Sequence, residues 1–106
     1  MSTPLKQLNA QIFREQLNTK FKVQTGGAEP MVLELQAVEE RDHSPAMELF
    51  ALHFVGPFTP RLMQMIHRLE HEKLGEFEIF LTAIGADPEQ GTTYESVFHR
   101  FRNKSA

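Results

Sequence analysis

Residues 64–85, QMIHRLEHEKLGEFEIFLTAIG, constrain the fold more than any other stretch. Phe77, Ile79 and Leu81 alternate with Glu76, Glu78 and Phe80, the two-residue period of a strand with one face on a core. Met65, His67 and Leu69 alternate in the same way upstream, and residues 72–75 supply a short polar connection ending in Gly75. This pattern predicts a β-hairpin. A helix through residues 62–71 competes with it, because Leu62, Ile66, Leu69 and Lys73 also keep helical spacing. Pairing with the following run favours the strand.

The segments on either side extend the same pattern. Residues 19–25 alternate Phe21 and Val23 against Lys20, Lys22 and Gln24, and Gly26-Gly27 then permits a reversal. Residues 31–38 set Met31, Leu33, Leu35 and Ala37 against Val32, Glu34 and Gln36, completing a second hairpin. A charged connection over 39–46 leads to residues 47–55, with Phe50, Leu52 and Phe54 inward and Ala51 and His53 outward. Gly56-Pro57 and Thr59-Pro60 interrupt the pattern. Residues 85–91 are dense in turn formers and precede a last strand over 92–100. At the start, Thr3-Pro4 can open a helix, and Leu5, Leu8, Ile12 and Phe13 form one apolar stripe.

The chain is therefore expected to be mainly β: a small antiparallel barrel or roll of about six strands, built as a meander, with one short N-terminal helix at its end. A single domain is expected over 1–106, with the helix about 4–18, the barrel or roll about 19–101 and a frayed tail over 102–106. Length alone supports one domain, and 41% hydrophobic residues with nine Phe supply one core. Cysteine is absent, which excludes disulfides and thiolate chemistry. With 11 basic and 14 acidic side chains the net charge is −3, which gives no field for a phosphate backbone. No signal sequence or membrane span is apparent, so the expectation is a soluble, cytoplasmic protein that engages neither nucleic acid nor membrane.

Residues 68–98 carry a resemblance. Leu69-Glu70-His71, Leu74-Gly75, Ile79-Phe80-Leu81, Ile84-Gly85 and Tyr94-Glu95-Ser96-Val97-Phe98 resemble the pattern of a small bacterial domain family without an assigned function. The resemblance implies a small stand-alone β-rich protein found beside phage-tail-collar-like proteins. It implies no catalytic residue.

His67-Arg68-Leu69-Glu70-His71 spells H-x-x-E-H, the inverted zinc-peptidase motif. That chemistry requires a helix, on which histidines four apart meet one zinc ion and the glutamate activates its water. On a strand Glu70 faces away from both histidines. The expectation is therefore that the chain is not an enzyme and needs no cofactor, with a small zinc-dependent hydrolase using His67, Glu70 and His71 as the alternative. Thr25-Gly26-Gly27 is a turn without the spacing of a phosphate cradle. Phe98-His99-Arg100-Phe101 reads as a core strand running into a solvated tail rather than a single-strand binder. Ser44 and Ser96 have no histidine and acid partners by spacing, and Tyr94 and Glu95 belong to the barrel wall and rim.

Val32, Phe80 and Val97 lie on the side of their strands expected to be wet, and three apolar residues on one surface would mark a contact site. The expected function is a protein-interaction or structural accessory domain meeting a partner protein or a second copy of itself. A curled sheet with a hollow interior would instead suit a ligand-carrying barrel.

Overall fold

In the computed structural model, which describes residues 8–27, 29–41 and 45–101, the elements follow in the order α1 (Ala10–Arg14), β1 (Lys20–Val23), β2 (Met31–Glu40), β3 (Met47–Gly56), β4 (Met65–His71), β5 (Gly75–Asp87) and β6 (Gly91–Phe101). The strands close into an antiparallel barrel with the circular order β1-β2-β3-β6-β5-β4. Mainly β, six strands and one short helix match the sequence-based expectation.

The route round the barrel is not one continuous meander. β1-β2-β3 and β4-β5-β6 are two three-stranded meanders joined edge to edge, with β3 on β6 from Met47↔Phe101 to Gly56↔Thr92 and β1 on β4 at Lys22↔Glu70 and Val23↔Leu69. The prolines after Gly56 explain the change of partner, because a chain without those amides cannot extend the β3 ladder into a hairpin. Residues 57–64 instead cross the barrel's end. The Phe58 carbonyl accepts from Thr92 Oγ1 at 3.2 Å, and the Leu62 N–H donates to the Tyr94 hydroxyl at 2.9 Å. β4 is thereby delivered to the far side.

The barrel interior is filled by alternate side chains. Leu69, Phe77, Ile79 and Leu81 of the β4–β5 hairpin are buried as their spacing predicts, as are Phe50, Leu52 and Phe54 of β3. β2 departs from strict alternation. Its register against β3 slips between Leu35 and Ala37, so Gln36 is an extra residue. Beyond this bulge the faces exchange: Val38 pairs with inward Leu52 and packs against the core, while Ala37 pairs with outward His53. Ala51 is fully buried although it lies on the outer face. It pairs with Glu39 on one side and Val97 on the other, and its single methyl sits below these longer neighbours.

The helix is shorter than its apolar stripe suggests. α1 begins at Ala10, where Asn9 caps it by accepting the Ile12 N–H at 2.8 Å, and it ends at Arg14. Thr3-Pro4, Leu5, Ser44 and the 102–106 tail lie outside the described residues. Five residues cannot hold a helix in water. Packing holds this one: Phe13 is fully buried, with ring centroids of Phe50, Phe77 and Phe98 at 6.2, 5.8 and 5.7 Å.

Gly91, at φ +106°, closes the β5–β6 turn, and a Cβ there would strike the Gly56 carbonyl oxygen. No helix among the described residues is long and apolar enough to cross a membrane.

Candidate functional site

The barrel wall has a defect, and its cause is a difference in strand length. β1 has four residues and β4 has seven. β1 pairs with β4 only as far as Leu69, and the Gln24 N–H then adds one bond to the Arg68 carbonyl at 2.9 Å. Past that point β4 runs on through Met65, Ile66 and His67 with β5 on one side and no strand on the other. Opposite the unpaired edge, residues 24–27 leave β1 and residues 29–30 lead into β2.

Between these two walls lies an open groove of about 750 Å³. Met31 and Val32 of β2 form one wall, Met63, Met65 and Ile66 form the other, and Pro57 and Pro60 of the crossing segment lie between them. Val32 is 42% exposed, Met63 75%, Met65 47% and Ile66 60%, so four of the eight exposed large apolar side chains of the described residues line this one groove. Methionine suits such a surface, because its unbranched, polarisable side chain adapts to different partners.

The rim carries positive charge. Arg61 and Arg68 border the groove against a single carboxylate, Glu29, although the chain as a whole is acidic. Arg68 is held loosely by Glu76 at 3.4 Å and Glu78 at 3.9 Å. Arg61 donates from Nε to the Phe58 carbonyl at 3.2 Å and lies over the Phe58 ring at 4.9 Å. It has no carboxylate partner among the described residues.

The three apolar residues singled out from the sequence do not form one patch. All are exposed, Phe80 at 47% and Val97 at 49% alongside Val32. Phe80 on β5 pairs with Ile66 on the outer face, and Val97 on neighbouring β6 pairs with Ala51. Val32 on β2 is three strands from Phe80 in either direction round the barrel. The groove connects two of them: Val32 is on its near wall, and Ile66 on its far wall pairs with Phe80, while Val97 is outside the groove lining. Met63, Met65 and Arg61 were missed as site residues. Their signal was the run Met63-Gln64-Met65-Ile66 shortly after Pro57 and Pro60, together with the disparity between a four-residue and a seven-residue strand.

The H-x-x-E-H run lies on β4, extended throughout. At ~3.3 Å per residue the two histidines are roughly 13 Å apart, and Glu70 points to the outer face while His71 is buried. His67 donates from Nε2 to the Met63 carbonyl at 2.7 Å. His71 has both ring nitrogens engaged. Nδ1 accepts the N–H groups of Lys73 at 3.0 Å and Leu74 at 3.2 Å. Nε2 lies 2.9 Å from Thr19 Oγ1, which itself donates to the Gln16 carbonyl, so Nε2 carries the proton. Burial lowers the affinity of this imidazole for a second proton, against a smaller opposing pull from Glu72. His71 therefore acts as a neutral clasp on the β4–β5 turn. Among the described residues no group of three or more His, Cys, Asp or Glu side chains is placed to hold a metal ion.

A second polar cluster occupies the opposite wall. Glu95 accepts from His53 Nε2 at 2.9 Å and from Arg41 at 3.3 Å, and Arg41 also holds Glu39 at 2.6 Å. The hydrogen bond from His53, then that from Arg41, draws the Glu95 carboxyl below its ordinary range. The cluster ties the end of β2 to β3 and β6. Tyr94, its neighbour, points into the core, and Ser96 is buried. Phe98 is a core residue, while Arg100 pairs with Glu48 at 2.9 Å and donates to the Leu8 carbonyl.

No curated protein and no solved structure matches the chain. A family model does, over residues 8–98, which takes in every strand of the barrel but its last three residues, and the chain belongs to the family described as Domain of unknown function (DUF6916).

Proposed function

We propose that this domain is a non-catalytic interaction or structural accessory module, and that it meets a protein partner or a second copy of itself through the methionine-lined groove and the apolar strip that continues from Ile66 to Phe80, with Val97 as a separate exposed apolar position. The observation that carries this reading is the concentration of exposed apolar side chains: half of the large ones among the described residues line one groove. Scattered exposed apolar residues are ordinary, but a contiguous run of them is a contact surface or an aggregation hazard. The packed interior supports a contact role over that of a ligand-carrying barrel, since seventeen buried apolar side chains among the described residues form one core cluster. The separation of His67, Glu70 and His71 on a strand supports it over zinc hydrolysis. The resemblance of residues 68–98 to bacterial domains found beside phage-tail-collar-like proteins supports an accessory place in such a particle.

The test compares the wild-type chain with Ile66→Glu/Phe80→Glu. Both positions are exposed, so the variant is expected to melt within a few degrees of wild type. Light scattering at tens of micromolar and co-purification from the native cell are measured on both. A mass above 12.2 kDa, or a co-purifying protein, that is lost in the variant supports the proposal. A wild-type mass of 12.2 kDa with the same co-purifying set in both chains overturns it.

A further inference from the structure

Resting on the interaction role just proposed, we infer that the groove takes an extended peptide segment of a partner protein, which adds to the barrel as a strand beside Ile66 and brings a carboxylate to Arg61. In an antiparallel ladder the N–H and C=O of one residue point to the same edge, and successive residues point to opposite edges. The Arg68 carbonyl is directed at β1, where it accepts from Gln24. The β4–β5 register has no shift, so two residues earlier the Ile66 N–H and C=O point the same way, into the groove. Neither they nor the Arg68 N–H meets a backbone partner among the described residues. These are the groups to which an added strand bonds. A helical ligand would leave them unpaired.

The groove also has the chemistry that such a strand needs. An extended peptide presents alternate side chains to one face, and the apolar walls of Met31, Val32, Met63 and Met65 would receive them. Arg61, already braced on Phe58 and without a carboxylate partner among the described residues, stands at the rim as the charge that an acidic side chain or a free carboxyl terminus would answer.

Other unpaired edges are closed off: β5 before Thr82 and β6 past Glu95 part from each other where Phe13 of α1 packs against Phe77 and Phe98, and a further edge is blunted. β5 continues from Thr82 to Asp87 with β6 on one side and no strand on the other. There the register slips at Ile84 between Ala83 and Gly85. A bulge bends a strand and blunts its edge against pairing. β4 has no such bulge, and its open edge faces a groove rather than solvent alone.

The test starts with a library of random twelve-residue linear peptides selected on the full-length domain and counter-selected on Arg61→Glu. The expected winners carry apolar residues at every second position with an Asp, Glu or free carboxyl terminus. In bound complexes, amide hydrogen exchange at Ile66 and Arg68 should slow at least tenfold, and Arg61→Glu should weaken binding at least tenfold. Ile66→Pro removes a donor that has no partner in the free domain together with the Ile66 side chain on the groove wall, so Ile66→Ala, which loses the side chain alone, is its control: Ile66→Pro should abolish binding and Ile66→Ala only weaken it, with circular dichroism checking the fold of both. Selected peptides that leave exchange at Ile66 unchanged, or that space their apolar residues three and four apart, overturn strand addition while leaving the contact surface standing. Failure to select any peptide overturns the inference, and the Ile66→Glu/Phe80→Glu comparison then decides separately whether the apolar strip meets a folded partner instead.

Discussion

The two ends of the barrel are closed by different physics. At one end α1 lowers Phe13 among Phe50, Phe77 and Phe98, the first and last of these being stacked on each other at 4.7 Å and 6°. Phe21 extends this aromatic cluster to Phe54, Phe77 and the ring of His71. At the other end residues 57–64 are hung from β6 by hydrogen bonds of Thr92 and Tyr94, and Met63 is left three-quarters exposed. Burying apolar area stabilises in proportion to the area removed, whereas a hydrogen bond exchanges one partner for water and gains little net. The helix end therefore holds the fold. The loop end can leave a groove open at small cost, which is where an interaction surface is tolerable.

The largest effect that could break this contrast is at Phe13. Phe13→Ala leaves a cavity between three rings and should cost about 3–5 kcal/mol, read by urea denaturation at neutral pH. A loss below ~1 kcal/mol would mean that the aromatic end is not where stability resides. His71 gives the next effect and sharpens the same point. Both folded and unfolded chains hold this imidazole neutral above its ordinary value of 6.5, so its contribution is complete there. As pH falls below 6.5 the unfolded chain takes a proton that the buried ring resists, and stability declines until the folded-state value is passed. His71→Gln should remove this part of the pH dependence, and should itself cost about 1–3 kcal/mol, because the amides of Lys73 and Leu74 lose a well-placed acceptor. An unaltered slope between pH 6.5 and 5 in His71→Gln would show that the clasp does not titrate with folding.

How much of this contrast could be read from the chain itself follows the range of the interactions involved. The β4–β5 hairpin was legible because Leu69, Phe77, Ile79 and Leu81 repeat every second residue and the turn between them is short. Phe13 was legible as part of an apolar stripe, but not as the plug among three rings that come from β3, β5 and β6. The bulges at Gln36 and Ile84 were not legible, since each depends on which residue of a partner strand lies opposite. The pairing of β3 with β6 and of β1 with β4 was hidden for the same reason. The groove is a consequence of that pairing: four residues of β1 meet seven of β4 only once the barrel has closed. Local spacing did raise the H-x-x-E-H run, and an extended backbone is what separates its members.

The smallest effect concerns the open end. Tyr94 is fully buried, and its hydroxyl accepts from the Leu62 N–H, so Tyr94→Phe keeps the ring in place and removes one anchor of the crossing segment. The expected cost is about 1 kcal/mol, several times less than at Phe13. Its signature should be local: amide exchange at Leu62 and along residues 61–64 should accelerate by roughly fivefold, while amides of β3 and β6 near Phe50 and Phe98 keep their protection. Because Met63 and Arg61 ride on the same segment, the groove wall should loosen with it, and groove-binding peptides should dissociate faster from Tyr94→Phe without losing their apolar spacing. If Tyr94→Phe instead destabilised the whole barrel as much as Phe13→Ala, with exchange rising everywhere together, the crossing segment would be as integral to folding as the aromatic cluster. The two ends would then form one cooperative unit, and an open groove at one of them would need a stabilising partner already in place.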